Sequence, residues 1–222
     1  MYASVGVHPD HENCTEPTVD ELVELADHPK VVAMGETGLD YFRLTGDLEW
    51  QRERFRTHIR AARKSRKPLV IHTRAAADDT LRIMREEKAG EVGGVMHCFT
   101  ESLAVAEAAI DLGFYISFSG IVTFKNAAAL REVAAAIPLE RMLIETDSPV
   151  RWGCLRWAAE WRTRRRRGGR RRHHAKLLSP VFGSPPLIQF KPAKSDPAGH
   201  FHLVSPKLRA DPGGEVVGRY RL

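Results

Sequence analysis

The sequence predicts an α/β protein of the (β/α)-barrel kind, and three observations carry that expectation. Over residues 1–150, short apolar runs alternate with helical patterns in units of roughly 20–40 residues. Four of those runs lead into a possible metal ligand: Val32-Ala33-Met34-Gly35-Glu36, Leu69-Val70-Ile71-His72, Gly94-Val95-Met96-His97 and Met142-Leu143-Ile144-Glu145-Thr146-Asp147. In a barrel of parallel strands the chemistry gathers at strand carboxyl ends that are far apart in sequence, which is where these groups fall. A doubly wound sheet would instead show a glycine-rich phosphate loop after its first strand, and none is present.

The elements follow in order. Residues 2–7 have the pattern of a strand ending at His8-Pro9. Thr18-x-x-Glu21 is a capping box before Val19, Leu22, Val23 and Ala26, which share a helical face. The next strand is expected to end at Glu36, with Gly35 and Gly38 turning the backbone sharply around it. A long helix then carries Gln51, Phe55, Ile59 and Ala62 in step, with basic residues near its end, where the dipole favours them. Pro68 restarts the chain into the strand ending at His72; a helix over 77–87 leads to the strand ending at His97. A helix over 102–112 stops at Gly113, residues 114–119 form a strand, a helix over 127–136 is broken by Pro138, and the last strand ends at Asp147.

Composition divides the chain. Residues 1–150 hold 17 Lys+Arg against 24 Asp+Glu, whereas residues 151–222 hold 17 against 4, so the overall charge of +6 conceals an acidic body and a strongly basic tail. Seven of the 13 prolines and eight of the 17 glycines also fall in that tail, which sets a boundary near residue 150. The three cysteines, Cys14, Cys98 and Cys154, are odd in number and show no paired spacing, which argues for a reducing compartment and against a disulfide framework and a thiolate zinc site. No apolar run approaches a membrane span and Met1 is not followed by a charged-then-apolar leader, so a soluble cytoplasmic protein is expected.

The ligand candidates have ordinary readings too. Taken singly, a buried histidine at a strand end is more often a satisfied polar group than a ligand. Glu36 could cap the following helix, and Asp147 beside Ser148-Pro149 could be turn chemistry. Glu145 either supports the site or pairs with an arginine. Arg74, just past His72, either contacts a substrate phosphate or forms an exposed ion pair.

Several ordered motifs raise these residues together. Ser4-Val5-Gly6-Val7-His8-Pro9, Gly35-Glu36-Thr37-Gly38-Leu39-Asp40-Tyr41, Val70-Ile71-His72-Thr73-Arg74, His97-Cys98-Phe99-Thr100, Ser117-Phe118-Ser119-Gly120 and Glu145-Thr146-Asp147-Ser148-Pro149 resemble the TatD family of metal-dependent deoxyribonucleases. The resemblance covers residues 1–150 and implies a TIM barrel that hydrolyses DNA phosphodiesters with two divalent metals. Mg²⁺ is the first expectation, with Mn²⁺ or Zn²⁺ as alternatives because neutral imidazole suits softer cations better. By the same resemblance Glu36 bridges the metals, His72 and His97 bind one of them, and Asp147 completes the site and orients the attacking water. His8 has no metal role in this reading and is a wall or phosphate contact.

The chain departs from the family pattern twice. The family's first strand, which carries His-x-His, and the strand after it have no counterpart before Tyr2, so an incomplete barrel of about six of the eight strands is expected, with bare edges at 2–7 and 141–145. After Pro149 the chain runs into Trp152-Gly153-Cys154-Leu155-Arg156-Trp157 and the arginine clusters 164–167 and 170–172. Three readings of that tail compete: a basic arm that binds nucleic acid, a segment lying on an anionic membrane surface, and translation in a shifted frame of GC-rich codons. The third is favoured, because His173 to Phe182 back-translated one nucleotide later can encode the Thr-x-Asn…Arg-Leu-Phe ending that the family pattern shows; a tail of this kind is expected to be disordered. The expected function is DNA hydrolysis. The alternatives are an amidohydrolase-type reaction on a small molecule, which a modifiable lysine in place of Glu36 would favour, and an inactive nucleic-acid-binding remnant.

Overall fold

The computed structural model describes residues 2–12 and 14–145. Asp147 and the basic segment 151–222 lie outside the described residues, and so does every expectation that concerns them.

Six parallel strands pair in the order of the sequence: β1 (Ala3–Val5), β2 (Val31–Asp40), β3 (Leu69–Arg74), β4 (Gly94–Met96), β5 (Phe114–Phe118) and β6 (Met142–Ile144). Helices lie between consecutive strands: α1 (Val19–Ala26), α2 (Glu49–Ser65), α3 (Ala77–Glu86), α4 (Leu103–Asp111) and α5 (Ala128–Ala136). A doubly wound sheet reverses its strand order at a switch point; this one never does, which is the winding of a (β/α) barrel. Among the described residues, β1 and β6 each pair on one side only, so the barrel is incomplete as expected.

Local chemistry sets the helix ends. The Thr18 hydroxyl accepts from the Glu21 N–H at 3.3 Å and Glu21 Oε2 accepts from the Thr18 N–H at 2.7 Å, closing the capping box of α1. Ser102 caps α4 through the Val105 N–H, and Gly113, at φ 88°, lets the chain leave that helix for β5.

The strands have two faces with different cores. Toward the helices, Met34, Leu69, Ile71, Met96, Phe114, Ile116 and Phe118 are fully buried against partners such as Phe55, Ile59 and Ala62 of α2. Toward the barrel interior, Ala33, Val70, Val95, Tyr115 and Leu143 form a separate small layer, one residue from each of β2 to β6. Side chains alternate along a strand, so two residues on from Val70, Val95 and Leu143 the same face presents His72, His97 and Glu145.

Two expected boundaries are corrected. β2 does not end at Glu36 in a sharp turn but runs on to Asp40, and β3 runs past His72 to Arg74. Gly35 and Gly38, at φ 139° and 133°, serve another purpose: a Cβ on either would collide with the backbone of β3. They permit close approach of two strands. Strict alternation from Ala33 would put Gly35 and Thr37 on the interior face, with Glu36 turned away. The register of β2 on β3 shifts between Met34 and Thr37, and that irregularity brings Glu36 to the histidines. No helix among the described residues is long and apolar enough to cross a membrane.

Candidate metal centre

Glu36 Oε1 is the hub of the site. Three imidazoles face this one oxygen: His72 Nδ1 at 3.4 Å, His8 Nε2 at 3.5 Å and His97 Nε2 at 3.8 Å. The Glu36, His72 and His97 side chains, expected together, are therefore together. His8, expected as a wall or phosphate contact, stands among them, its ring edge-on to that of His72 with centroids 4.7 Å apart.

Each imidazole has a carboxylate on its far side. His8 Nδ1 lies 2.5 Å from Asp10 Oδ1, His72 Nε2 lies 3.0 Å from Asp40 Oδ2, and His97 Nδ1 lies 2.6 Å from Glu145 Oε2. The last is a close contact without hydrogen-bond alignment, between side chains 3% and 0% exposed. An ionised carboxylate only accepts, so the hydrogen-bonded outer nitrogens of His8 and His72 carry hydrogen. In the neutral ring, the lone pair is then on the nitrogen facing Glu36.

The electrostatics follow from this arrangement. Burial alone would push the Glu36 carboxyl up, but His72 and His8 in their protonated form and the nearby His97 outweigh it and hold Glu36 well below the usual carboxylate range. Burial opposes charge on His8 as well, yet Asp10 and Glu36 together lift it to about 9. For His72, too, burial is outweighed, here by Asp40 and Glu36, and its pKa is raised.

Helix α2 anchors two of the strand ends that carry this cluster. Gln51 pairs with the Asp40 backbone twice, accepting its N–H at 2.9 Å and donating to its carbonyl at 3.0 Å. His58 Nε2 accepts the Val7 N–H at 3.0 Å, and Arg54 Nη1 donates to the His8 carbonyl at 3.2 Å. Sequence reasoning found none of these roles, nor those of Asp10 and Asp40. The available signal was spacing: Gln51, Arg54 and His58 repeat at i, i+3 and i+7 on the same stripe as Phe55, Ile59 and Ala62, so they had to be buried.

Arg74 sits at the rim with its side chain 51% exposed, 4.0 Å from Asp40 Oδ2 and with its guanidinium 3.6 Å above the Phe42 ring. Asp10, Asp40, Phe42, Arg43 and Arg74 border a cleft of about 250 Å³ beside the histidines.

The donor set fits a divalent cation. One carboxylate oxygen with imidazole nitrogens around it suits Zn²⁺, Mn²⁺ or Fe²⁺, whereas Mg²⁺ prefers oxygen alone.

Parallel strands that present imidazole and carboxylate donors at their carboxyl ends define the class of (β/α)-barrel metal-dependent hydrolases. Residues 1–153 match the family model of the TatD related DNases, and the chain belongs to that family. The Escherichia coli metal-dependent hydrolase YcfH is 53% identical over 147 residues, 66% of this chain and 55% of the relative. The 3'-5' ssDNA/RNA exonuclease TatD of Klebsiella pneumoniae is 35% identical over 150 residues, 67% of this chain and 57% of the relative. Among solved structures, the TatD homologue YJJV of Escherichia coli superposes with a TM-score of 0.61 at 32% identity, covering 69% of this chain and 61% of that one. The chain thus spans little more than half the length of these curated relatives.

Proposed function

We propose that this chain holds divalent cations and hydrolyses DNA phosphodiesters, with residues 1–150 as the barrel part. The observation that supports this most is the convergence of three imidazole nitrogens within 3.8 Å of one carboxylate oxygen, Glu36 Oε1. The name of the Klebsiella relative supports nucleic acid as the substrate class.

In this reading Glu36 would be shared by two divalent cations, His72 and His97 would hold one of them, and Asp147 would complete the set and orient the attacking water. Bound there, the cations supply Lewis acidity toward a phosphoryl oxygen and lower the pKa of a coordinated water. The chain's own residues do the rest. Glu36 has two oxygens and can span a pair where an imidazole cannot. Asp40 keeps hydrogen on the outer nitrogen of His72, so that its inner nitrogen remains a donor, and Glu145 packs against the outer nitrogen of His97. Arg74 at the rim, stacked over Phe42 beside Arg43, meets a substrate phosphate.

The test is cleavage of end-labelled single-stranded DNA and RNA by the full chain with Mg²⁺, Mn²⁺ or Zn²⁺, beside Glu36→Ala and an EDTA control. Metal-dependent cleavage lost in Glu36→Ala is the expected result. Cleavage that survives Glu36→Ala, or hydrolysis of small-molecule amides but not of nucleic acid, overturns the reading.

A further inference from the structure

The geometry points to His8 as a further metal ligand: one cation is held between His8 Nε2, Glu36 Oε1 and His72 Nδ1, with Asp10 fixing the His8 ring. This rests on the reading of Glu36 and His72 as metal ligands and adds to it a residue and its supporting carboxylate.

Distance is the first argument. Donors bound at about 2.0–2.1 Å to one tetrahedral cation stand roughly 3.4 Å apart. His8 Nε2 and His72 Nδ1 lie 3.5 and 3.4 Å from Glu36 Oε1, and one ligand atom from each of the three residues falls within 4.8 Å of the others. By the same measure His97 Nε2, at 3.8 Å, is the more distant of the three imidazoles.

The two rings also share a pattern of support. A histidine that ligates a cation almost always gives its other ring N–H to a carboxylate, carbonyl or water. His72 does so with Asp40, and His8 does so with Asp10 at 2.5 Å. His8 follows β1 and His72 lies within β3, yet each stands between a supporting carboxylate and the same Glu36 oxygen.

The position of His8 is, moreover, built from outside. The backbone on either side of its Cα is tied to α2, through the Val7 N–H on His58 and the His8 carbonyl on Arg54, whose side chain is only 1% exposed. A simple surface pair with Asp10 needs neither tie. Nor does it need the ring turned inward, where only 23% of the side chain is exposed.

The experiment uses the full chain and Co²⁺ alone as probe, read by its visible absorption and by calorimetry. It compares wild type, Glu36→Ala, His8→Gln and Asp10→Asn, with metal-free melting followed by circular dichroism to establish that each is folded. Asp10→Asn is expected to weaken Co²⁺ about tenfold, and His8→Gln to weaken it more and change the absorption envelope. Should His8→Gln fail to fold, histidine ¹⁵N spectra of the wild type decide. On adding Zn²⁺, His8 Nε2 must move to a metal-bound shift while Nδ1 keeps its hydrogen.

Co²⁺ binding by folded His8→Gln at wild-type affinity, or a His8 ring that Zn²⁺ leaves unmoved, overturns the inference. If Glu36→Ala still abolishes binding in that case, the metal reading of Glu36 stands without His8. A wild-type chain that takes up neither cation overturns both.

Discussion

Glu145 Oε2 lies 2.6 Å from His97 Nδ1, while Oε1 of the same carboxylate accepts the Cys98 N–H at 2.5 Å. One buried side chain at the end of β6 thus holds both the ring at the end of β4 and the left-handed turn at Cys98 that follows it. Glu145→Gln keeps an acceptor for Cys98 but places a neutral amide against His97. It is expected to weaken Co²⁺ binding about tenfold with little loss of stability. Glu145→Ala leaves the Cys98 N–H without its carboxylate and is expected to cost a further 1–3 kcal/mol, roughly, in urea denaturation. Equal metal affinity in the wild type and both variants would remove Glu145 from the site.

Gly38→Ala is expected to damage fold and site together. At φ 133° an added Cβ would strike the His72 carbonyl oxygen, so the strain falls on the backbone of a proposed ligand. Gly46, at φ 90°, has nothing within 4 Å and supplies the control, since alanine there carries the conformational penalty alone. Gly38→Ala should lose at least about 1 kcal/mol more than Gly46→Ala, and of the two only Gly38→Ala should weaken Co²⁺ binding.

Acid stability should depend on His58. Burial pushes this ring down from 6.5 to about 4, against its hydrogen bond to the Arg54 carbonyl. Between those values the unfolded chain binds a proton that the folded chain does not. The contribution is therefore complete above about pH 6.5 and is lost as pH falls toward 4, amounting to about 3 kcal/mol. Urea midpoints measured from pH 7 to 4 should fall more steeply in the wild type than in His58→Gln. Parallel profiles would show that the fold does not depress the His58 pKa.

If nucleic acid is the substrate, Arg74→Ala should weaken single-stranded oligonucleotide binding about equally across sequences and reduce the slope of log K against log salt by about one. Co²⁺ affinity should be unchanged, because Arg74 touches Asp40 and Phe42 but none of the imidazoles facing Glu36. Binding and salt dependence identical to the wild type would confine Arg74 to its ion pair.

Most of the fold was legible because its signals are local. The capping box at Thr18, the stop at Gly113 and the strand-and-helix alternation are each written within a few residues, and all stand as expected. Glu36, His72 and His97 could be picked out because each follows an apolar run. The course of β2 could not, because its irregularity between Met34 and Thr37 arises from pairing with β3, and no local pattern encodes a register shift. Asp10 and Asp40 were silent for a related reason. A carboxylate in a loop or at a strand end looks the same in sequence whether it faces water or a histidine. On α2, Gln51 fell on the apolar stripe in sequence, but the burial of Arg54 and His58 did not show, because charged and titratable side chains are mostly exposed.

Through Gln51, Arg54 and His58, α2 grips the ends of both β1 and β2. The helix therefore works as a ruler laid across the cluster. Any slip of it along the sheet is transmitted at once to His8 and to Asp40, so faults in ligand spacing arrive in pairs. Temperature or denaturant that loosens this single segment should blunt cation uptake before the strands themselves part.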